Sequence, residues 1–282
     1  MTTTSKKTQQ EMTPHLNWSE MSDSEHFVQF YETDEFLLDS LSGFIATGLD
    51  AGDACIVVAT KAHRENLEER LKANGLGLAA AHMRGEYISL DVVETLSKFM
   101  VNGLPESQRF TEVVGGLIVQ AAKGRRHVRI FGEMVALLWT QGNRTAAIRL
   151  EELWNDLHNT IPSFSLFCSY AMPAFAGDVY GTQFLEICKQ HSRVIPDESY
   201  SALAEPDERL RAITLLQQKA NSLQAEIAER KAAEERLRIS ENRYRRLFEA
   251  SKDGILMIDP CTGTIIDANP FVAELLGYTY EQ

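Results

Sequence analysis

Between His26 and Gln190 short apolar runs alternate with amphipathic segments of helical length, and this alternation constrains the fold more than any other feature of the chain. The runs His26 to Tyr31, Ala54 to Thr60, Tyr87 to Leu90, Val128 to Phe131 and Phe164 to Tyr170 read as strands. Phe36 to Leu49, Glu65 to Asn74, Val92 to Val101, Phe110 to Ala122, a region from Met134 to His158 broken near Gly142, and Tyr180 to Gln190 read as helices. Strands separated by helices need crossover connections and pair in parallel, and strands this apolar are covered on both faces. The expected class is α/β, a three-layer sandwich around a mostly parallel sheet.

A hydrophobic content of 44% over 282 residues leaves room for one sizeable core and a smaller piece, because single cores rarely grow much beyond roughly 250 residues. Residues 1–24 are polar and aperiodic, which predicts a flexible leader. The N-terminus lacks a signal peptide's apolar stretch, and no uncharged apolar run approaches the ~18 residues of a membrane span. A cytoplasmic location with no membrane partner is therefore expected. The net charge of -12 argues against a nucleic-acid partner, since phosphates are neutralised by Lys and Arg. The short basic cluster Lys123-Gly124-Arg125-Arg126 reads as a solvated helix end. Cys55, Cys168, Cys188 and Cys261 form no close pair in sequence. Cys55 and Cys168 lie in apolar runs, which favours buried reduced thiols over a disulfide frame or a zinc site.

Residues 196–208 have the composition of a linker, and one long helix is predicted over 209–248. Ile213, Leu216, Ala220, Leu223 and Ile227 alternate three and four apart, the spacing of a two-stranded coiled-coil seam. The seam weakens at Arg230 and Glu234 and resumes at Leu237, Tyr244 and Phe248. So polar a helix is marginal alone, and a homodimer is the expected way to bury its stripe.

Beyond it, the apolar run Ile255 to Ile258 and the pair Ile265-Ile266 flank the turn signal Pro260-Cys261-Thr262-Gly263, which predicts a β-hairpin. Asn269-Pro270 ends the second strand and opens a helix from Phe271 to Leu276, closed by Gly277. Asn269 is read as the cap of that helix. The order Asp267-Ala268-Asn269-Pro270, then six residues, then Gly277-Tyr278 resembles the N-terminal part of a PAS domain, over residues 243–282. The resemblance implies further helices and strands, so the segment reads as the incomplete start of a PAS domain, and no haem, flavin or other cofactor is expected in it. Similar charged helices precede PAS domains in bacterial sensor kinases.

An open parallel sheet binds ligands beyond the carboxyl ends of its strands. The polar residues expected there are Tyr31, Glu32, His63, Asp91, Glu133 and Tyr170, the candidates for contact with a small molecule or a protein partner. Plainer readings stand beside them: Tyr31 and Glu133 as a hydrogen-bonded pair holding the strand ends, His63 as a helix-start residue, and Trp139 and Trp154 as core. His63, Asp91 and Glu133 as a metal triad is a further alternative, unsupported by any close-spaced ligand motif.

Over residues 25–195 the chain resembles the MEDS sensory family, named after methanogens, methylotrophs and a dichloromethane-responsive regulator. The resemblance rests on His26-x-x-x-Phe30-Tyr31, Gly48-Leu49-x-x-Gly52-Asp53, Thr60-x-x-His63, Asp91, Arg129-Ile130-Phe131-Gly132-Glu133-Met134 with Leu138-Trp139, and Leu150-Glu151-x-Leu153-Trp154-Asn155. It implies a fold similar to the RecA and KaiC ATPases. A working ATPase needs a glycine-rich loop with a lysine after its first strand. Here that connection is Tyr31-Glu32-Thr33-Asp34-Glu35-Phe36, whose carboxylates repel a triphosphate. The expectation is a binding module: the input portion of a sensor histidine kinase of a two-component system, relaying through a dimeric coiled coil to PAS. Kinase activity is expected only from residues after Gln282. Two alternatives remain, a hydrolase or metal-dependent enzyme using the strand-end cluster, and the sensory part of a transcription regulator, although no helix-turn-helix is evident.

Overall fold

The computed structural model describes residue 18 and residues 24–124, 127–161, 164–176, 181–203 and 205–277. Most of the expected leader, the pair Arg125-Arg126, Tyr180 and Tyr278 lie outside the described residues. The elements run β1 (His26–Tyr31), α1 (Asp34–Asp50), β2 (Ala54–Ala59), α2 (Lys61–Ala73), α3 (Leu78–Met83), β3 (Tyr87–Asp91) and α4 (Val92–Ser97). A two-stranded ribbon follows, β4 (Met100–Val101) and β5 (Leu104–Pro105), and then α5 (Ser107–Phe110), a π-helical turn (Thr111–Gly115) and α6 (Gly116–Ala122). Next come β6 (Val128–Gly132), α7 (Met134–Thr140), α8 (Arg144–Thr160), β7 (Phe164–Ala171), a 3-10 turn (Met172–Phe175), α9 (Thr182–Gln190), β8 (Arg193–Ile195) and α10 (Glu198–Ser201). The chain continues through α11 (Pro206–Ala250), β9 (Leu256–Ile258), β10 (Ile265–Ala268) and α12 (Pro270–Leu276).

Six strands form one sheet in the order β3-β2-β6-β7-β1-β8, with every neighbouring pair parallel. From β1 the chain steps toward β3 with α1, α2 and α3 on one face. It then reverses toward β8 with α4 to α9 on the other. Right-handed crossovers require this, because reversing the direction of travel moves the connecting helices to the opposite face. The result is a three-layer α/β sandwich with a core on each side of the sheet. Side-chain alternation divides the strands between them: Phe27, Cys55, Val57, Phe131 and Phe167 face α1–α3, while Val28, Phe30, Ile56, Ile130 and Leu166 face the helices of the second side. Trp139 and Trp154 are buried in the second core.

Local chemistry departs from the sequence expectation in several places. The helix predicted from Val92 to Val101 stops at Ser97, and Asn102 (φ 51°) and Gly103 (φ 80°) turn the chain into the β4–β5 ribbon. Both turn residues need positive φ, and Asn-Gly is the pair that tolerates it best. The short helix α3 and the edge strand β8 were not foreseen, and the expected linker 196–208 contains α10. The helix predicted from Phe110 begins at Ser107 and is interrupted by the π-helical turn.

The chain divides into two compact units at Arg209/Leu210. In the second, α11 exposes its apolar positions, among them Leu216 (59% exposed) and Leu223 (58%). Arg230 and Glu234, where the heptad pattern weakens, form an ion pair on its surface. β9 and β10 pair antiparallel. Asn269, fully buried, accepts hydrogen bonds from the backbone N–H of Ile255 and Val272 and donates to Asp253 O, so it both caps α12 and pins the hairpin. Gly277, at φ 75°, closes α12. No helix among the described residues is long and apolar enough to cross a membrane.

Candidate functional site

Where the crossovers of adjacent strands leave for opposite faces, the carboxyl ends part and a crevice opens. This happens between β3 and β2, between β2 and β6 and between β7 and β1, and a cavity of about 120 Å³ lies at the last two. Tyr31, Thr60, His63, Glu133 and Tyr170 line its polar side and Ala136 and Leu137 of α7 contribute its apolar wall. At roughly 30 Å³ per water molecule, it has the size of about four waters or a molecule of a few heavy atoms.

Glu133 organises the site. Its backbone N–H bonds Val58 O, seating it beside β2. One carboxylate oxygen accepts from the N–H of Thr60 at 2.7 Å and the other is bonded to His63 Nδ1. His63 Nε2 lies 3.4 Å from the Asp34 carboxylate. The Glu133 hydrogen bond raises the His63 pKa against the opposing effect of burial, and Asp34 adds to the rise. Burial, reinforced by the charges of Glu133 and Asp34, pushes the Tyr31 phenol up, so it remains a neutral hydrogen-bond donor near pH 7. The cavity thus offers the Tyr31 phenol as a donor beside an imidazole held between two carboxylates.

Four of the six candidates, Tyr31, His63, Glu133 and Tyr170, meet at this cavity, and Glu32 and Asp91 do not line it. Asp91 caps α4 through the N–H groups of Val93 and Glu94 and pairs with Arg64, which gives it a structural task. The Glu32 side chain is exposed, and its backbone N–H is already used. Glu198 of α10 accepts from the N–H of Glu32 and from both the N–H and hydroxyl of Thr33. The N–H groups at the start of α1 are thus satisfied by the chain's own carboxylate. The Tyr31–Glu133 hydrogen bond considered from sequence is not formed; Thr60 and His63 occupy the Glu133 oxygens instead.

The motif carrying Gly48, Asp53 and Arg129 is a structural clamp. Arg129 Nε bonds Asp53 at 2.9 Å and its Nη1 bonds Phe44 O, with both charged side chains buried. Gly48 gives the guanidinium room, since a Cβ there would sit 2.6 Å from Arg129 Cδ.

A second polar group lies in the other core, between β1, β7, α8 and His191 at the end of α9. Tyr170 donates to Glu151 Oε1 at 2.8 Å, and Glu151 Oε2 faces His26, His191 and Cys168. All five side chains are buried. Sequence reasoning did not assemble them because they are dispersed over the chain. The available signal was that His26, Glu151 and Asn155 stand in the family motifs at apolar positions where polar residues need partners. A second cavity, about 190 Å³ and apolar, lies beside the π-helical turn, lined by Ile56, Val58, Val114, Ile118, Ile130 and Trp154.

Fold and site define a modular protein: an α/β unit with a small ligand-sized cavity and no phosphate loop, connected in sequence to a long helix and a hairpin–helix segment. The profile of the methanogen/methylotroph, DcmR sensory domain, MEDS, matches residues 25–191, more than half of the chain, and the chain belongs to that family. A PAS-domain profile matches residues 242–282. Together they make it a sensory signalling protein. Among solved structures, the chain is similar to a KaiC-like protein from the hyperthermophilic archaeon Pyrococcus horikoshii OT3, at 14% identity and a TM-score of 0.42, over 61% of this chain and 72% of that one. No curated protein matches.

Proposed function

We propose that this chain is the input portion of a sensor histidine kinase of a two-component system. A small molecule or a partner's side chain enters the strand-end cavity, and its occupancy is relayed through α11, as a homodimeric coiled coil, to PAS and an output domain. The observation that carries the reading is the co-occurrence of a MEDS match and a PAS match on one chain, with a 45-residue helix whose apolar stripe is exposed between them. The cavity supports it: a phenol donor beside carboxylates in about 120 Å³ suits a small polar molecule and not a nucleotide. Glu198 supplies a route outward, because it ties the segment preceding α11 to Glu32 and Thr33, next to the cavity residue Tyr31.

The test uses the product of the complete reading frame that encodes this chain. Incubated with labelled ATP it should form acid-labile phosphohistidine, in a yield changed by a small molecule that also raises the unfolding temperature of the sheet unit. Ala136→Phe, which fills the cavity, should remove the response to that molecule. A reading frame that ends at Gln282 refutes the kinase assignment, and one that continues into a DNA-binding domain replaces it with a transcription regulator.

A further inference from the structure

We infer that His26, Glu151, Cys168 and His191 form a buried site for a divalent transition metal of the zinc class. Their ligand atoms all lie within 4.8 Å of one another. His26 Nε2 is 3.4 Å and His191 Nε2 3.6 Å from Glu151 Oε2. Cys168 Sγ is 3.5 Å from His26 Nε2 and 3.9 Å from Glu151 Oε2. A tetrahedral ion bound at about 2.0–2.3 Å spaces its ligands roughly 3.3–3.8 Å apart. The protein already holds the atoms close to that spacing.

The surrounding hydrogen bonds fix which atoms face inward. His191 Nδ1 donates to Ile187 O at 2.7 Å. Asn155 uses its amide N–H to bond Gln190 O and Oε1, which turns its own oxygen toward His26 Nδ1 at 2.8 Å. Both imidazoles are thereby held with Nδ1 protonated and the Nε2 lone pair directed at the cluster, the tautomer a metal requires. Tyr170 orients the carboxylate from behind. Each of the two histidines and the carboxylate therefore has an outer partner, as ligands of protein metal sites do.

Without an ion the arrangement is poor. Two lone pairs and a carboxylate oxygen converge on a single S–H donor, and His191 Nε2 is left fully buried with no hydrogen-bond partner. Zinc(II) with one carboxylate, one thiolate and two neutral imidazoles sums to zero charge, which a dry interior tolerates far better than an unpaired carboxylate. On binding, the Cys168 S–H bond breaks, the sulfur keeps the electron pair as the metal-bound thiolate, and the proton passes to solvent. The mixture of imidazole, thiolate and carboxylate in a four-ligand set suits zinc(II) and admits cobalt(II) as its spectroscopic substitute. His191 lies two residues before the edge strand, so the ion would fasten the start of β8 to β1, β7 and α8.

The test takes the whole chain, with thiols kept reduced. Metal content is measured as isolated; the protein is then unfolded with chelator and refolded with cobalt(II) or zinc(II) alone. One ion per chain is expected, with cobalt(II) showing the intense visible bands of tetrahedral coordination and a thiolate-to-metal charge-transfer band. Cys168→Ser should lose the charge-transfer band, and Asn155→Ala, which frees His26 from its outer partner, should weaken zinc affinity about 10–100-fold. Refolded wild-type protein that takes up neither ion at tens of micromolar overturns the inference, whatever the variants do. Cobalt(II) bands without the thiolate contribution overturn it too, because they place the ion at His63 and its carboxylates.

Discussion

Replacing Glu133 by Gln should uncouple the strand ends that form the cavity, and the structure sets both the size and the pH dependence of the effect. The side chain is nearly isosteric, so packing is preserved and only the charge and one acceptor are lost. In the native site one carboxylate oxygen holds Thr60 N–H and the other holds His63. Glutamine can keep the first bond but turns an N–H₂ toward His63. One charge-assisted hydrogen bond is lost, worth about 1.5–3 kcal/mol. Because Glu133 raises the His63 pKa, this contribution is present in full below the ordinary histidine value of about 6.5 and fades as pH rises through the higher native value. The gap between wild type and variant should be widest near pH 6 and narrow toward that of a neutral hydrogen bond, about 0.5–1.5 kcal/mol, near pH 9. At about 2–4 °C per kcal/mol, the midpoint should fall roughly 3–12 °C at pH 6. All three tryptophans, Trp18, Trp139 and Trp154, precede the division at Arg209, so their fluorescence reports unfolding of the sheet unit alone. Equal stability of the two proteins at pH 6, or a gap that does not change with pH, would refute the role given to this pair.

Glu198→Gln should destabilise the sheet unit by about 1 kcal/mol, since a half-exposed charge-assisted acceptor at the start of α1 is lost. Although burial opposes it, the hydrogen bonds from Glu32 and Thr33 lower the Glu198 pKa, so the difference should hold above about pH 4.3 and vanish as pH falls through the lower native value; urea titrations at pH 7 and pH 3 check the sign. Gly48→Ala should cost about 1–3 kcal/mol by driving a methyl against Arg129 and Cys55, and a smaller loss in an Arg129→Leu background, measured by a double-mutant cycle, would attribute the cost to the clamp. Leu216→Glu with Leu223→Glu should convert a dimer into a monomer in sedimentation while the tryptophan unfolding midpoint stays unchanged, since charge in a coiled-coil seam costs several kcal/mol; a wild-type chain that is monomeric at tens of micromolar contradicts the dimer.

The strands of the sheet were legible because both of their faces are covered, so each announces itself as an unbroken apolar run. β8 was not, since a three-residue edge strand with exposed Arg193 and Val194 carries neither a run nor an alternation. The β4–β5 ribbon was missed for a different reason: apolar spacing was followed across Asn102-Gly103, a turn pair that should have taken precedence. At the site, alternation of strand and helix was enough to place Tyr31, His63, Glu133 and Tyr170 at strand ends. It could not show that Asp91 is consumed by capping or that a carboxylate from the expected linker occupies the start of α1. The His26–Glu151–Cys168–His191 group is a property of tertiary packing alone.

The position of β1 in the sheet bears on how the protein is made. β1 is synthesised first, yet its neighbours in the sheet, β7 and β8, are the last two of the six strands to be made. Cys168 follows His26 by 142 residues, which at roughly 5–20 residues per second is about 7–28 s of translation. Throughout that interval HFVQFY, every residue of which is buried in the native sheet, has both backbone edges unpaired. A nascent chain arrested at Ile161 should therefore expose β1 to chaperones and proteases, and one released after Ile195 should protect it, which makes the first strand the aggregation-prone segment of biosynthesis.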